Sequence, residues 1–392
     1  MNRSLCDRVC IVGVGETDFV RGTDKSLAQL LIEASVHACT DAGLHPSEID
    51  GIMSPWRYNI RCEDMAAGLG VKELKFSGRS EMGGASAVAA IQAAALAVDH
   101  GIAEYVVVAT GQRGYSGPRL GGMDPRILDF NNTIMPNPEY RDNMEYPYGL
   151  MVPMQYFSLH ANRWFYEYNP DPIGMQIVAM TSREHAHNNS RAYMKGRVMT
   201  AEDYQKSPML VSPFRLLDCS LEVDGAGAVI VTSKKNAHRF KKPVYIAGIA
   251  EGHAHVPDDL PTRPDILDMG ITYAAPRALA MAGISLDEVD FAEIYDCFTF
   301  IVLRQLEEIG FCQRGEASEF VKNGRITYGG QLPMNTHGGL LSQAHIVGIN
   351  HVVEAVKQLR GESGAAQVAD ARIGLVTGYG DMGDGSIAIL HN

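Results

Sequence analysis

The run Val9-Cys-Ile-Val-Gly-Val-Gly-Glu16 returns later in the chain as Val244-Tyr-Ile-Ala-Gly-Ile-Ala-Glu251, with Val, Ile, Gly and Glu identical in register. Each copy is a short apolar run rich in β-branched residues, the pattern of a buried strand. A helical stretch follows each. Ala34–Ile52 (ASVHACTDAGLHPSEIDGI) and Ala274–Ala292 (AAPRALAMAGISLDEVDFA) share Ala34/Ala274, Ala38/Ala278, Ala42/Ala282, Gly43/Gly283, Glu48/Glu288 and Asp50/Asp290. Alanines four apart place small side chains on one helix face, where a sheet or another helix can approach closely. Gly43 and Gly283 suit the position just past a helix end. Asp224-Gly-Ala-Gly-Ala-Val-Ile-Val and Asp384-Gly-Ser-Ile-Ala-Ile-Leu then close each copy as turn followed by strand. Repetition at this scale predicts an α/β fold of two related halves, 1–240 and 241–392. The first half is longer. Its excess, about 112–222, crowds together Pro, Tyr, Asn, Met and Arg, and 151–206 reads as helical. An insert of that length in a compact domain serves as a functional cover or an interface.

Composition agrees with a large globular body. The 392 residues are 46% hydrophobic and 20% charged, and 34 Lys plus Arg against 46 Asp plus Glu leave a net charge of −12. That acidity, without a long basic run, argues against a nucleic-acid or anionic-membrane surface. No apolar run reaches the ~18 residues that a bilayer span requires. The opening MNRSLCDRVCIVGVGE enters a strand pattern without a signal-peptide core, so a cytoplasmic location is expected. Seven scattered cysteines with no CxxC exclude a disulfide framework and a zinc site of the usual spacing.

Several motifs carry polar chemistry: Glu81-Met-Gly-Gly-Ala-Ser86, Glu293-Ile-Tyr-Asp-Cys-Phe-Thr299, Pro333-Met-Asn-Thr-His-Gly-Gly339, Leu341-Ser-Gln-Ala-His345, Gln358-Leu-Arg-Gly361 and Thr377-Gly-Tyr-Gly380. Together with the duplicated halves they resemble the thiolase superfamily over nearly the whole chain. The nearest likeness is to its lipid-transfer-protein branch, which includes the thiolase-like steroid side-chain aldolases. The resemblance implies two α/β halves stacked as αβαβα layers.

A thiolase carries its acyl-accepting cysteine at the start of a long small-residue helix, where the helix N-terminus favours the thiolate. Here that helix is GGASAVAAIQAAALAV, residues 83–98, and no cysteine lies between Cys62 and Cys219. Aligning Gly84 and Ala87 with the thiolase pattern puts Glu81 where the cysteine would stand, as an acid–base or orienting group. Without the thiol, acyl transfer loses its covalent step. The resemblance assigns the remaining catalytic roles to Tyr295, His345 and Tyr379. Tyr295 occupies the polar position near the thiolase oxyanion site, and a phenol there can donate to an oxyanion or act as a base. His345 keeps the Gly-Gly-x5-His spacing of the histidine that activates the thiolase cysteine. Tyr379 takes the place of the second cysteine or histidine. His337, Gly338, Gly339 and Gly380 are expected to contact substrate, glycine allowing close backbone approach.

The reaction so implied is retro-aldol cleavage of a β-hydroxyacyl-CoA, with a steroid or terpenoid ketone and a short acyl-CoA as products. Tyr295 and His345 would supply the base and the enolate-side donor, in an order the sequence does not assign. The scheme requires no metal and no covalently bound cofactor; coenzyme A enters as part of the substrate. The likeness further implies a homodimer with a small OB-fold and zinc-ribbon partner on each protomer, a heterotetramer. The alternatives are a thiolase or Claisen-type acyltransferase, which would need Cys297, and a non-catalytic lipid or acyl-CoA carrier.

Overall fold

Gly13 and Gly248 set how closely helices can lie on the sheet. In the computed structural model, which describes residues 4–55, 60–119, 138–255, 260, 263–380 and 382–392, a side chain at Gly13 would overlap the Ala38 carbonyl, and one at Gly248 would overlap that of Ala278. The two glycines are equivalent in the repeat, and so are the two alanines. Each half therefore docks its first helix backbone-to-backbone on its first strand.

The order of elements follows from these units. β1 (Val9–Glu16), α1 (Leu27–Ala42), β2 (Gly51–Pro55), α2 (Cys62–Leu69), β3 (Phe76–Ser80), α3 (Ser86–Asp99) and β4 (Tyr105–Arg113) open the chain. Next come α4 (Pro138–Met144), α5 (Pro153–Tyr168), α6 (Ile173–Asn188), α7 (Ala201–Lys206), a hairpin of β5 (Met209–Val211) and β6 (Phe214–Arg215), and β7 (Asp224–Ser233). β8 (Val244–Gly252) begins the second series, followed by α8 (Ile271–Ala282), β9 (Phe291–Glu293), α9 (Thr299–Ile309), α10 (Ala317–Phe320), α11 (Ile349–Arg360), β10 (Ile373–Gly380) and β11 (Asp384–His391). The expected insert about 112–222 is thus partly helical where described; its residues 120–137 lie outside the described residues.

The matched positions do matched work. α1 and α8 both end in a left-handed glycine, Gly43 and Gly283, each at φ 70°. The Asp50 carboxylate accepts from the backbone N–H groups of Glu104 and Tyr105 at the start of β4 (2.9 and 2.8 Å). The Asp290 carboxylate accepts from those of Arg372 and Ile373 at the start of β10 (2.8 and 2.9 Å). Each aspartate thereby ties the strand that follows a helix to the strand beside it.

Among the described residues the principal strands form one mixed sheet in the order β3-β2-β4-β7-β1-β8-β11-β10-β9. Its two parts pair along a short ladder, Cys10 opposite Tyr245 and Ile11 opposite Val244, extended by the Asp7 N–H donating to the Ile246 carbonyl (3.1 Å). They enclose α3 and α11, which pack against strands of both parts, so the layers run helix, sheet, helix, sheet, helix. Alternation along β1 assigns its side chains: Val9 and Ile11 enter the central apolar cluster with α3 and α11, while Cys10 and Val12 face the outer cluster under α1 and α2. A third cluster lies beneath α8 and α9. No helix among the described residues is long and apolar enough to cross a membrane.

The close helix contact predicts an asymmetry between glycines. Gly248→Val should cost about 2–3 kcal/mol, the scale of overpacking, because the obstacle is backbone. Gly43→Ala, which meets nothing within 4 Å, should cost about 1 kcal/mol from its left-handed conformation alone. Urea unfolding midpoints at constant slope check both values.

Candidate active site

Tyr295 follows β9 by two residues, and its backbone is fixed before its ring is. Its N–H donates to Thr377 Oγ1 (3.0 Å), its carbonyl accepts from Gln305 Nε2 (2.7 Å), and Thr377 Oγ1 donates to Gln305 Oε1 (2.6 Å). The ring then enters a slot with glycine on two sides. A side chain at Gly84 would overlap the Tyr295 hydroxyl, and one at Gly348, where φ is 82°, would stand 2.9 Å from its ring carbons. His351 meets the ring edge-on, with centroids 6.1 Å apart.

The Tyr295 hydroxyl lies 3.1 Å from His345 Nε2, and His345 Nδ1 lies 3.1 Å from Ser220 Oγ. Gln112 Nε2 donates to the His345 carbonyl (2.6 Å), which holds the residue from the first half of the chain. A neutral imidazole carries a proton on one nitrogen and accepts at the other. Hydroxyl, imidazole and hydroxyl therefore form a path along which a proton can shift.

This path borders a cavity of about 650 Å³, also lined by Tyr379, Gly380, Phe157 and Phe298. Phe157 packs on both Phe298 and Tyr379, with centroids 4.8 and 5.8 Å apart. The Tyr379 hydroxyl is buried and has no hydrogen-bond partner among the described residues. Burial pushes its pKa upward, so it keeps its proton as a donor. The two cysteines of the cavity wall are poor nucleophiles. Burial, then the Asp218 charge, pushes the Cys219 thiol up to about 12. Burial and Asp296 hold Cys297 well above the ordinary thiol range.

The expected residues separate into two groups. Tyr295, His345, Tyr379 and Gly380 converge on the cavity. Glu81, placed by sequence at the elbow in lieu of a thiol, is instead exposed just beyond β3 and outside the cavity lining. The position that abuts the Tyr295 hydroxyl is Gly84, which the register placed three residues too late for that role. His337, Gly338 and Gly339, expected against substrate, are buried behind the wall. Gly338 packs on Ala186, and Gly339 presses on the Asp296 carboxylate. That carboxylate accepts from the N–H groups of Leu340 and Leu341 (2.8 and 3.3 Å). Gly339–Gln343 forms a π-helical turn, a form frequent at functional sites, and it leads directly into His345. Asp381 of the Thr377-Gly-Tyr-Gly motif's continuation lies outside the described residues. Ser220 escaped sequence reading because 125 residues separate it from His345 and no local pattern marks it.

Behind Tyr295 lies a buried ionisable tier. Glu293 accepts from Thr336 Oγ1 (2.7 Å) and stands 2.9 Å from His337 Nδ1. Burial, against the opposing pull of His351, raises its pKa to about 8. Burial also raises Glu354 and lowers His337. Glu293, His337 and His351 bring ligand atoms within 4.8 Å of one another. Asn350 Nδ2 donates to His337 Nε2 (3.3 Å) and also to Gln343 Oε1 (2.8 Å). Glu293 Oε2, His337 Nδ1 and both ring nitrogens of His351 are buried without a hydrogen-bond partner among the described residues, so the three side chains form a close-packed polar cluster.

Comparison with known proteins agrees with this geometry. Residues 252–392 match a family described as thiolase C-terminal domain-like. The chain is 37% identical to the 17-hydroxy-3-oxo-4-pregnene-20-carboxyl-CoA lyase of Mycobacterium tuberculosis, over 92% of this chain and 93% of that protein. It is 37% identical to the steroid side-chain-cleaving aldolase of Thermomonospora curvata, over 90% of both. The solved structure of an Ltp2-ChsH2(DUF35) aldolase superposes with a TM-score of 0.89 at 35% identity, covering 99% of each chain.

The raised Glu293 pKa sets a pH dependence of stability. The unfolded chain releases this proton near the ordinary carboxylate value, whereas the folded chain retains it up to about 8. Stability is therefore lost as pH rises through that window. Glu293→Gln should gain stability relative to the parent protein between pH 5 and pH 8, read from paired urea titrations at each pH. A constant difference would contradict the assignment.

Proposed function

Because this chain belongs to the thiolase superfamily, in its branch of steroid side-chain-cleaving aldolases, we propose that it is a carbon–carbon lyase performing retro-aldol cleavage of a β-hydroxyacyl-CoA with a steroid-like acyl group. The observation that carries this reading is the Tyr295–His345–Ser220 path at a cavity whose elbow offers no side chain at Gly84.

The proton bookkeeping closes on these residues. Tyr295 Oη takes the β-hydroxyl proton as its own passes to His345 Nε2. Ser220 Oγ accepts a hydrogen bond from Nδ1–H and so favours the imidazolium. The Cα–Cβ bond then breaks: the β-oxygen becomes a ketone, and the electron pair remains on Cα as a thioester enolate. The Tyr379 hydroxyl, whose proton is held by burial, supplies a hydrogen bond to the enolate oxygen. The proton stored on the Tyr295–His345 pair returns to Cα, giving the shorter acyl-CoA and restoring the resting state. The apolar cavity wall suits a ring system. An acyltransferase reading requires a thiolate, and the raised pKa values of Cys219 and Cys297 oppose one.

Tyr295→Phe should lower turnover by ~10²-fold or more, the scale of a positioned acid–base group, measured as release of ketone and shorter thioester. Near-parental turnover in a folded variant, or an acyl adduct found on the polypeptide by mass spectrometry, would overturn the scheme.

We extend the proposal to a cytoplasmic homodimer carrying a small OB-fold and zinc-ribbon protein on each protomer; the likeness to an Ltp2-ChsH2(DUF35) aldolase supports the existence of a partner. Light scattering should give the mass of a heterotetramer on co-expression; a lone, fully active dimer that ignores the partner would count against it.

A further inference from the structure

Val347 is a β-branched residue in a left-handed backbone conformation, with φ at 65°. That region suits glycine. A branched side chain there is strained, and such a conformation persists only where the surroundings fix it. Val347 lies two residues beyond His345, is buried, and lines the same cavity. Gly348 follows, also left-handed at φ 82°. The pair leads the chain into α11 and lays Gly348 against the Tyr295 ring.

Side chains supply the restraint. Residues 344–346 belong to neither helix nor strand, yet each of their carbonyls has a donor. The Ala344 carbonyl accepts from Asn350 Nδ2 (3.1 Å), that of His345 from Gln112 Nε2 (2.6 Å) and that of Ile346 from Thr110 Oγ1 (3.0 Å). Asn350 is local, on α11. Thr110 and Gln112 stand 236 and 233 positions from the residues they bind. They are two apart on β4, hence on one face of that strand, and both are buried. Ser220 is anchored separately: its N–H donates to the Cys297 carbonyl, and that of Leu221 donates to the Leu340 carbonyl (both 3.0 Å). Tyr295 is fixed through Thr377 and Gln305. His345 has to meet two groups whose places are already set, and a strained turn follows it.

We propose that Thr110 and Gln112 are positioning residues of the proton path: from β4 they hold the strained segment at 345–347 so that the His345 ring stays between Tyr295 and Ser220. For its effect on turnover the inference rests on the lyase reading given above; it goes beyond that reading by placing the restraint in the other half of the chain. Gln112 also lines the cavity, so a contact between its amide and the substrate is the competing role, and the two differ in which kinetic constant they move.

Gln112→Met keeps the length of the side chain and removes its donor. It should lower kcat about 10-fold, the scale of a small misplacement of a reacting group, with KM within about twofold of the parental value. Thr110→Val should lower kcat about fivefold, the scale of one neutral hydrogen bond, and Thr110→Ser, which keeps the hydroxyl, should restore it. Val347→Gly supplies a residue at ease in the left-handed region, so adding it to Gln112→Met should recover part of the lost kcat. A further fall would overturn the restraint, because a merely weakened fold gets worse when a second buried side chain is lost. Nuclear magnetic resonance of the protein labelled with 15N-histidine needs no turnover; the His345 signals are those missing from His345→Gln. In the parental protein the proton should reside on Nδ1, beside Ser220, and in Gln112→Met the two tautomers should average. If they do while the parental protein cleaves no β-hydroxyacyl-CoA, the positioning role stands and only the lyase reading falls. If Gln112→Met leaves kcat and the ring signals parental, the positioning role falls and the lyase reading is untouched. A rise in KM alone would also overturn it, assigning Gln112 to the substrate.

Discussion

The volume beside Gly84 governs the chemistry of this protein. A helix N-terminus of small residues is a place where an activated nucleophile can be built. Here that volume is filled by the Tyr295 hydroxyl, and any side chain at position 84 would collide with it. The phenol is thereby pinned against His345 and cannot coexist with a nucleophile on the elbow. One steric fact thus leaves no room for a nucleophilic side chain at this position and brings a phenol to it. The fixed backbone of Tyr295, held through Thr377 and Gln305, keeps the ring from retreating.

The layers behind the site serve this placement. Asp296, next to Tyr295, fastens the start of the π-helical turn by accepting from Leu340 and Leu341, and the turn delivers His345. His351 and the Glu293–His337 pair fill the space beneath with polar groups at close range, 2.9 Å from Glu293 to His337 and 3.1 Å from His351 to Asp296. Such a tier is stabilising only while its members are paired and the charges are few. Burial, which raises the pKa of Glu293 and of Glu354, works toward fewer charges there.

Much of this was legible in the sequence because it is local or repeated. The duplicated strand, the four-residue alanine spacing and the capping glycines reflect contacts made within one unit, and they appear in the structure at the same positions. Tyr295, His345 and Tyr379 could be singled out because they sit in motifs. Glu81 could not be placed correctly, because the elbow's register depends on which residue faces Tyr295, a partner more than two hundred positions away. His337 and the double glycine read as substrate contacts because they adjoin the motif that ends in His345. Their burial behind the wall follows from how the π-helical turn rotates them, which spacing alone does not encode. Ser220 carries no motif; its place beside His345 arises from a cavity that only the folded chain creates.

The narrow junction between the two parts of the sheet, two residue pairs long, has an implication for ancestry. Gly84, Gln112 and Ser220 come from the earlier repeat, whereas Tyr295, His345 and Tyr379 come from the later one. Neither copy owns a working centre. Under the proposed scheme the duplicated units divide the labour, one copy contributing the floor and the proton outlet, the other the reactive rings. Units specialised in this way would each be idle alone, so on that scheme neither copy could be shed without losing the centre.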